Sequence, residues 1–184
     1  MARAKHVIVE AVGKKNMSPC LTIVQHGFPV DSPVMDCGVT LLMHVAATCG
    51  AAELEQILAL NPDLNAKDSS GRTALHYACR AGSKETAAKL AEQEGCDLDA
   101  ITNAGVTPLM MAVEKGNIEL VAECLNSNFN PFLKDALDRT ALDYAACFRN
   151  VLGQDMRKLI QAAMDQWIAQ TDEEDRTGPQ VQFA

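Results

Sequence analysis

Four threonines, Thr40, Thr73, Thr107 and Thr140, stand 33, 34 and 33 residues apart, each two residues after a Gly or Asp (Gly38, Gly71, Gly105 and Asp138). What surrounds them keeps the same phase. After each comes a short apolar run, clearest in Thr73-Ala74-Leu75-His76-Tyr77-Ala78-Cys79 and Thr107-Pro108-Leu109-Met110-Met111-Ala112-Val113, closed by Gly82 or Gly116 nine residues beyond the Thr. A second run then opens with a Glu, as in Gly116-Asn117-Ile118-Glu119, and ends in a polar turn such as Gly95-Cys96-Asp97-Leu98-Asp99-Ala100. Units of this size cannot bury an apolar face alone, so the chain must stack them, and one central core is excluded.

The pattern has local causes. Each Thr opens a helix, where its hydroxyl can accept from an orphan N–H, and Pro108 has no N–H to lose in a first turn. The glycines at 50, 82 and 116 are expected to turn the chain out of the first helix with positive φ. Small pairs such as Ala46-Ala47, Ala78-Cys79 and Ala145-Ala146 keep the inner helix thin for close stacking. Glu53, Glu85 and Glu119 start second helices, where negative charge suits the dipole.

These residues resemble the ankyrin repeat, a unit of ~33 residues with a β-turn finger, two antiparallel helices and a T-P-L-H-x-A signature. The resemblance covers roughly Met35 to Arg149 and implies an all-α solenoid of stacked repeats. It divides the chain into a divergent N-terminal capping repeat (1–34), repeats at 35–67, 68–101 and 102–134, and a divergent fourth repeat with a C-terminal capping helix (135–169). An acidic flexible tail is expected over 170–184. The fourth unit departs from the pattern at Asp138, Asp143 and Arg149, as a terminal cap does. Residues 2–12 read as the first helix of the capping repeat, with a strand as the alternative because of the β-branched run His6 to Val12. Apolar residues at 156, 159, 160, 163, 164, 167 and 168 predict an amphipathic closing helix from Leu152 to Ala169.

Sixteen Lys and Arg against 24 Asp and Glu give a net charge of -8, which argues against nucleic acid or an anionic membrane as partner. No apolar stretch is long enough to span a bilayer. Glu10 interrupts the N-terminal apolar run, against a secretory signal or a mitochondrial presequence. The seven cysteines form no C-x-x-C pair, so neither a disulfide framework nor a zinc site is expected. A reducing, cytoplasmic setting follows, with nucleus or organelle left open. Absence of a phosphate-cradling loop, catalytic triad or paired carboxylates leaves no expected catalytic residue, cofactor, metal or small-molecule substrate.

The family resemblance implies structural roles for Thr40, Thr73, His76, Gly82, Thr107, Pro108, Gly116 and Thr140, the His76 ring bonding back to the Thr side chain and to a neighbouring repeat's backbone. It also implies a protein partner held on the concave face of finger tips and inner-helix ends. The positions are Val39, Lys67, Ser69, Ser70, Arg72, Arg80, Asn103, Val106, Glu114, Lys115, Leu137, Arg139 and Phe148. With Lys134 they make this face basic on an acidic body, with Val39, Val106, Leu137 and Phe148 as apolar anchors for an acidic, partly apolar segment. Two other functions stay open: a constitutive subunit of a large assembly, and a thiol-based redox sensor at Cys49 or Cys147, both placed late in inner helices where exposure is expected.

Overall fold

A computed structural model describes residues 2–177 of the chain. The described residues form helix pairs and no strand. The pairs are α1 (Ala2–Gly13) with α2 (Ser18–Gln25), α3 (Leu41–Thr48) with α4 (Ala51–Leu58), and α5 (Ala74–Ala81) with α6 (Lys84–Ala91). They continue with α7 (Pro108–Lys115) and α8 (Ile118–Asn126), then α9 (Ala141–Ala146) and α10 (Val151–Thr177). The inner helices α1, α3, α5, α7 and α9 pack in series, and α4, α6, α8 and α10 form the outer layer.

The core is a seam between the layers. Val45, Ala46, Ala78, Cys79, Ala112, Val113 and Ala145 are fully buried on the inner helices, and Leu54, Ile57, Leu90, Leu120 and Ile160 meet them from the outer ones. The His6–Val12 run is helical: Ile8, Ala11 and Val12 lie on one buried face, and that packing outweighs the strand preference of its β-branched residues. Ser18 is the first residue of α2, with Pro19 in its first turn.

Thr40 and Thr107 accept from the backbone N–H of Met43 and Met110, at 3.4 and 3.3 Å. Gly82 and Gly116 end α5 and α7 with φ of 80° and 75°, a conformation that costs glycine no Cβ clash. Gly50 differs from that expectation. Its φ is -93°, and it caps the start of α4 while its N–H donates to the Glu53 carboxylate at 3.1 Å. The extra residue between Thr40 and Gly50 lets Cys49 make the exit in an extended conformation, leaving the glycine to begin the next helix.

The closing helix is longer than the sequence pattern marks. It runs through Gln170, where the pattern predicts a tail, to Thr177, because extending a helix already nucleated costs far less than starting one. The remainder of that expected tail, 178–184, lies outside the described residues. Asn150 caps the helix, its side chain accepting from Gly153 N–H at 3.1 Å. Among the described residues no helix is long and apolar enough to cross a membrane.

Candidate partner-binding face

Four β-turn fingers precede α3, α5, α7 and α9 and stack edge to edge. Ser69 N–H donates to the Cys37 carbonyl at 2.8 Å, Asn103 N–H to Ser70 at 2.9 Å, and Ala136 N–H to Ala104 at 2.9 Å. The Asn103 side chain also donates to the Ser69 carbonyl at 2.9 Å, so Ser69, Ser70 and Asn103 hold the finger row together. Each finger is closed across its own turn, by Met35 N–H to Val39 O, Asp68 to Arg72, Thr102 to Val106 and Asp135 to Arg139.

His76 is fully buried, and every polar atom of its ring is used. Nε2 meets the Val106 carbonyl at 3.0 Å, so it carries the proton. Nδ1 therefore accepts from the Thr73 N–H at 3.2 Å and the Thr73 hydroxyl at 3.0 Å. Burial lowers its pKa to about 4, leaving a neutral ring that ties repeat two to repeat three. At Thr140 the same capping position is filled by Asp143, whose carboxylate accepts from the Thr140 N–H and hydroxyl at 2.8 Å each.

The six basic residues expected on the concave face separate into two kinds. Arg72 binds Asp68 through Nε and Nη2, both at 2.9 Å, with its guanidinium 5.0 Å over the Tyr77 ring. The Tyr77 hydroxyl donates to the same carboxylate at 2.8 Å. Arg139, Asp135 and Tyr144 repeat the arrangement, with bonds of 2.9 Å (Nε), 2.7 Å (Nη2) and 2.9 Å (Tyr144 hydroxyl) and the guanidinium 4.7 Å over the ring. Burial pushes the Asp68 carboxyl up, but the bonds from Arg72, Tyr77 and Ser70 outweigh it and hold the group below its ordinary range. The Arg139 guanidinium holds Asp135 well below as well. Lys134 pairs with Asp138 at 2.9 Å.

Counting basic residues along the sequence therefore overstates the charge of this face, since three of the six bring their own carboxylate. Lys67, Arg80 and Lys115 have no carboxylate partner among the described residues. Lys67 Nζ donates to the Ile101 carbonyl at 3.2 Å, and the Lys115 stem lies over Gly82. Arg80, Met111, Glu114 and Lys115 line a shallow cavity of about 270 Å³.

Among the expected apolar anchors, only Leu137 stands out, at 71% exposure. Val39 and Val106 are half-buried against the core because their backbones close the fingers. Phe148 is also half-buried, its ring covering Gly116 at the repeat boundary and its backbone pressed on Gly153. Ile101, 49% exposed, is a finger-side apolar group that belongs with Leu137.

Of the two thiols expected to be exposed, Cys49 departs from expectation and Cys147 does not. Cys49 is buried, its Sγ donating to the Val12 carbonyl at 3.6 Å, because the exit of α3 turns it under α1. Cys147 is exposed, and so is Cys37. Contact with Cys124, together with burial, raises the Cys79 pKa, and burial pushes Cys96 up to about 11. Among the described residues no cluster of His, Cys, Asp and Glu is placed to hold a metal ion.

Asp68, Tyr77, Asp135 and Tyr144 hold Arg72 and Arg139 in place, although the repeat pattern does not mark them among its positions. Their signal lies in the sequence: Lys67-Asp68, Arg72 and Tyr77 return as Lys134-Asp135, Arg139 and Tyr144. A search for single repeats passes over this double period.

Family models agree with this architecture. "Ankyrin repeats (3 copies)" matches residues 8–102, and "Ankyrin repeats (many copies)" matches residues 90–145. The chain is 31% identical over 129 residues to neurogenic locus notch homolog protein 1 of Danio rerio, covering 70% of this chain and 5% of that protein. It is 33% identical over 112 residues to neurogenic locus notch homolog protein 2 of Homo sapiens, covering 60% of this chain and 4% of that one. The chain thus spans only a small fraction of the relatives it matches. Ankyrin repeats generally mediate protein–protein interaction and are typically non-catalytic modules. The chain belongs to the ankyrin repeat family.

Proposed function

We propose that the chain is a non-catalytic binding module that holds an acidic, partly apolar segment of a protein partner along its concave face. The observation that carries this reading is the set of cations with no ion pair among the described residues, Lys67, Arg80 and Lys115, on neighbouring repeats beside exposed Ile101, with Glu114 the one carboxylate in the cavity that Arg80 and Lys115 line. On a body of charge -8 they draw an acidic segment to one surface, and the stacked fingers present it without reorganisation. A reducing compartment suits a protein with no disulfide among its described cysteines.

Affinity capture from the native source tests it. The wild-type chain should retain its partner at low salt and lose most of it near ~1 M salt, where the screening length is about 3 Å. Replacing Lys67, Arg80 and Lys115 together by Glu should abolish capture while the helical circular dichroism stays intact. Undiminished capture by the folded triple variant would overturn the assignment to this face.

A further inference from the structure

The four fingers alternate in kind. At three sets of equivalent positions stand Met35, Asp68, Thr102 and Asp135; Val39, Arg72, Val106 and Arg139; His44, Tyr77, Met111 and Tyr144. Repeats two and four therefore carry an Asp–Arg–Tyr clamp, and repeats one and three carry none. The clamps are rigid, because each carboxylate is almost wholly buried, its side chain 0% exposed in one and 2% in the other, and accepts from backbone, guanidinium and phenol together.

Each guanidinium retains something to offer. Nη1 has no hydrogen bond among the described residues, and the arginine side chains are 24% and 46% exposed. The paired Asp cancels the positive charge and repels a second carboxylate, so the clamp favours a planar, uncharged group over an anion. An aromatic ring stacks well on a guanidinium already held flat over a tyrosine. An anion fits better at the cavity between α5 and α7, where the two cations Arg80 and Lys115 outnumber the single carboxylate of Glu114.

We propose that the concave face reads its partner with a two-repeat period: two aromatic side chains about six residues apart on an extended segment, stacked on the Arg72 and Arg139 clamps, with a carboxylate between them at Arg80 and Lys115. The inference rests on the binding reading above and gives the partner's chemistry. Inner helices pack roughly 8–10 Å apart, so alternate repeats lie about 16–20 Å apart. An extended chain rising ~3.3 Å per residue covers that in five or six residues. Only the even number puts both rings on the same side of the segment.

Random peptides long enough to reach both clamps, displayed on phage and selected on the immobilised full chain, test the inference. Enriched sequences should carry two aromatic residues six apart around an Asp or Glu. A synthetic peptide of that sequence should bind roughly three- to tenfold more weakly to Arg72→Lys and to Arg139→Lys, which keep the pairing charge for the buried Asp but lose the planar stack. Lengthening or shortening the spacer by two residues should weaken binding to the wild-type chain similarly, a measurement that needs no variant to fold. Peptides weakened by Arg80→Glu and Lys115→Glu but indifferent to spacer length and to both Arg→Lys changes would overturn the two-repeat period and leave the binding face standing. Peptides indifferent to every substitution, or a selection yielding none, would overturn both.

Discussion

At the scale of single residues, the most exacting position is His76, because it serves three partners with one tautomer. Its ring accepts from Thr73 and donates across the repeat boundary to Val106, so His76→Ala strands buried polar groups on both sides. The expected loss is about 1–3 kcal/mol in urea melts at neutral pH. The protonation sign is also set. The folded pKa, about 4, lies below the ordinary 6.5, so the unfolded chain binds the proton more tightly. The stabilisation is whole above pH 6.5 and drains away as pH falls toward 4, amounting to about 2 kcal/mol lost by pH 5. His76→Ala should therefore lose less stability between pH 7 and pH 5 than the wild type. Equal losses in the two proteins would show that other groups carry the acid sensitivity. The Thr–His spacing announces this bond in the sequence. The Arg72 and Arg139 ion pairs are harder to read, because basic residues on the expected groove look free until Asp68 and Asp135 are seen folded under them. Pairing four residues apart inside a turn carries no helical or strand period to betray it.

At the scale of elements, caps and turns are legible wherever one residue type has one conformational use. Thr before an apolar run and Gly82 or Gly116 after it mark α5 and α7 closely. Where a residue has two uses the reading fails, as at Gly50, which opens α4 instead of closing α3. Gly153 is a glycine whose reason is steric. A Cβ there would fall on the Phe148 carbonyl and side chain, so the junction of α9 and α10 depends on its absence. Gly153→Ala should cost about 1–3 kcal/mol, the usual range for overpacking. At Gly13, the last residue of α1, an added Cβ would meet nothing within 4 Å, and the backbone needs no positive φ. Gly13→Ala should be neutral or should raise stability by up to about 1 kcal/mol. Thermal melts of the two variants check the contrast, and equal effects would remove the steric account of Gly153.

At the scale of the whole molecule, the repeat interval sets the architecture, but the strength of each boundary comes from side chains that the interval does not specify. Repeats two and three are joined by His76 to Val106, by both Asn103 bonds and by the Asn117 side chain to the Gly82 carbonyl at 3.1 Å. Their outer turns add Asn130 N–H to Asp99 at 2.8 Å, and Lys84 meets Glu123 at 3.1 Å. The boundary below α3 is sparser, with Asp63 N–H to Asp31 at 2.8 Å and the weak Cys49 thiol contact to Val12. A linear stack opens from its weakest end, since a terminal unit gives up one interface and an internal unit two. The amides of α1 and α2 should therefore exchange with solvent first, and those of α5 and α7 should exchange only with global unfolding. Native-state hydrogen exchange under rising denaturant distinguishes the cases. Protection of α1 equal to that of α5 at every denaturant concentration would mean that the stack opens as one unit, and that the unequal boundaries leave its cooperativity unchanged.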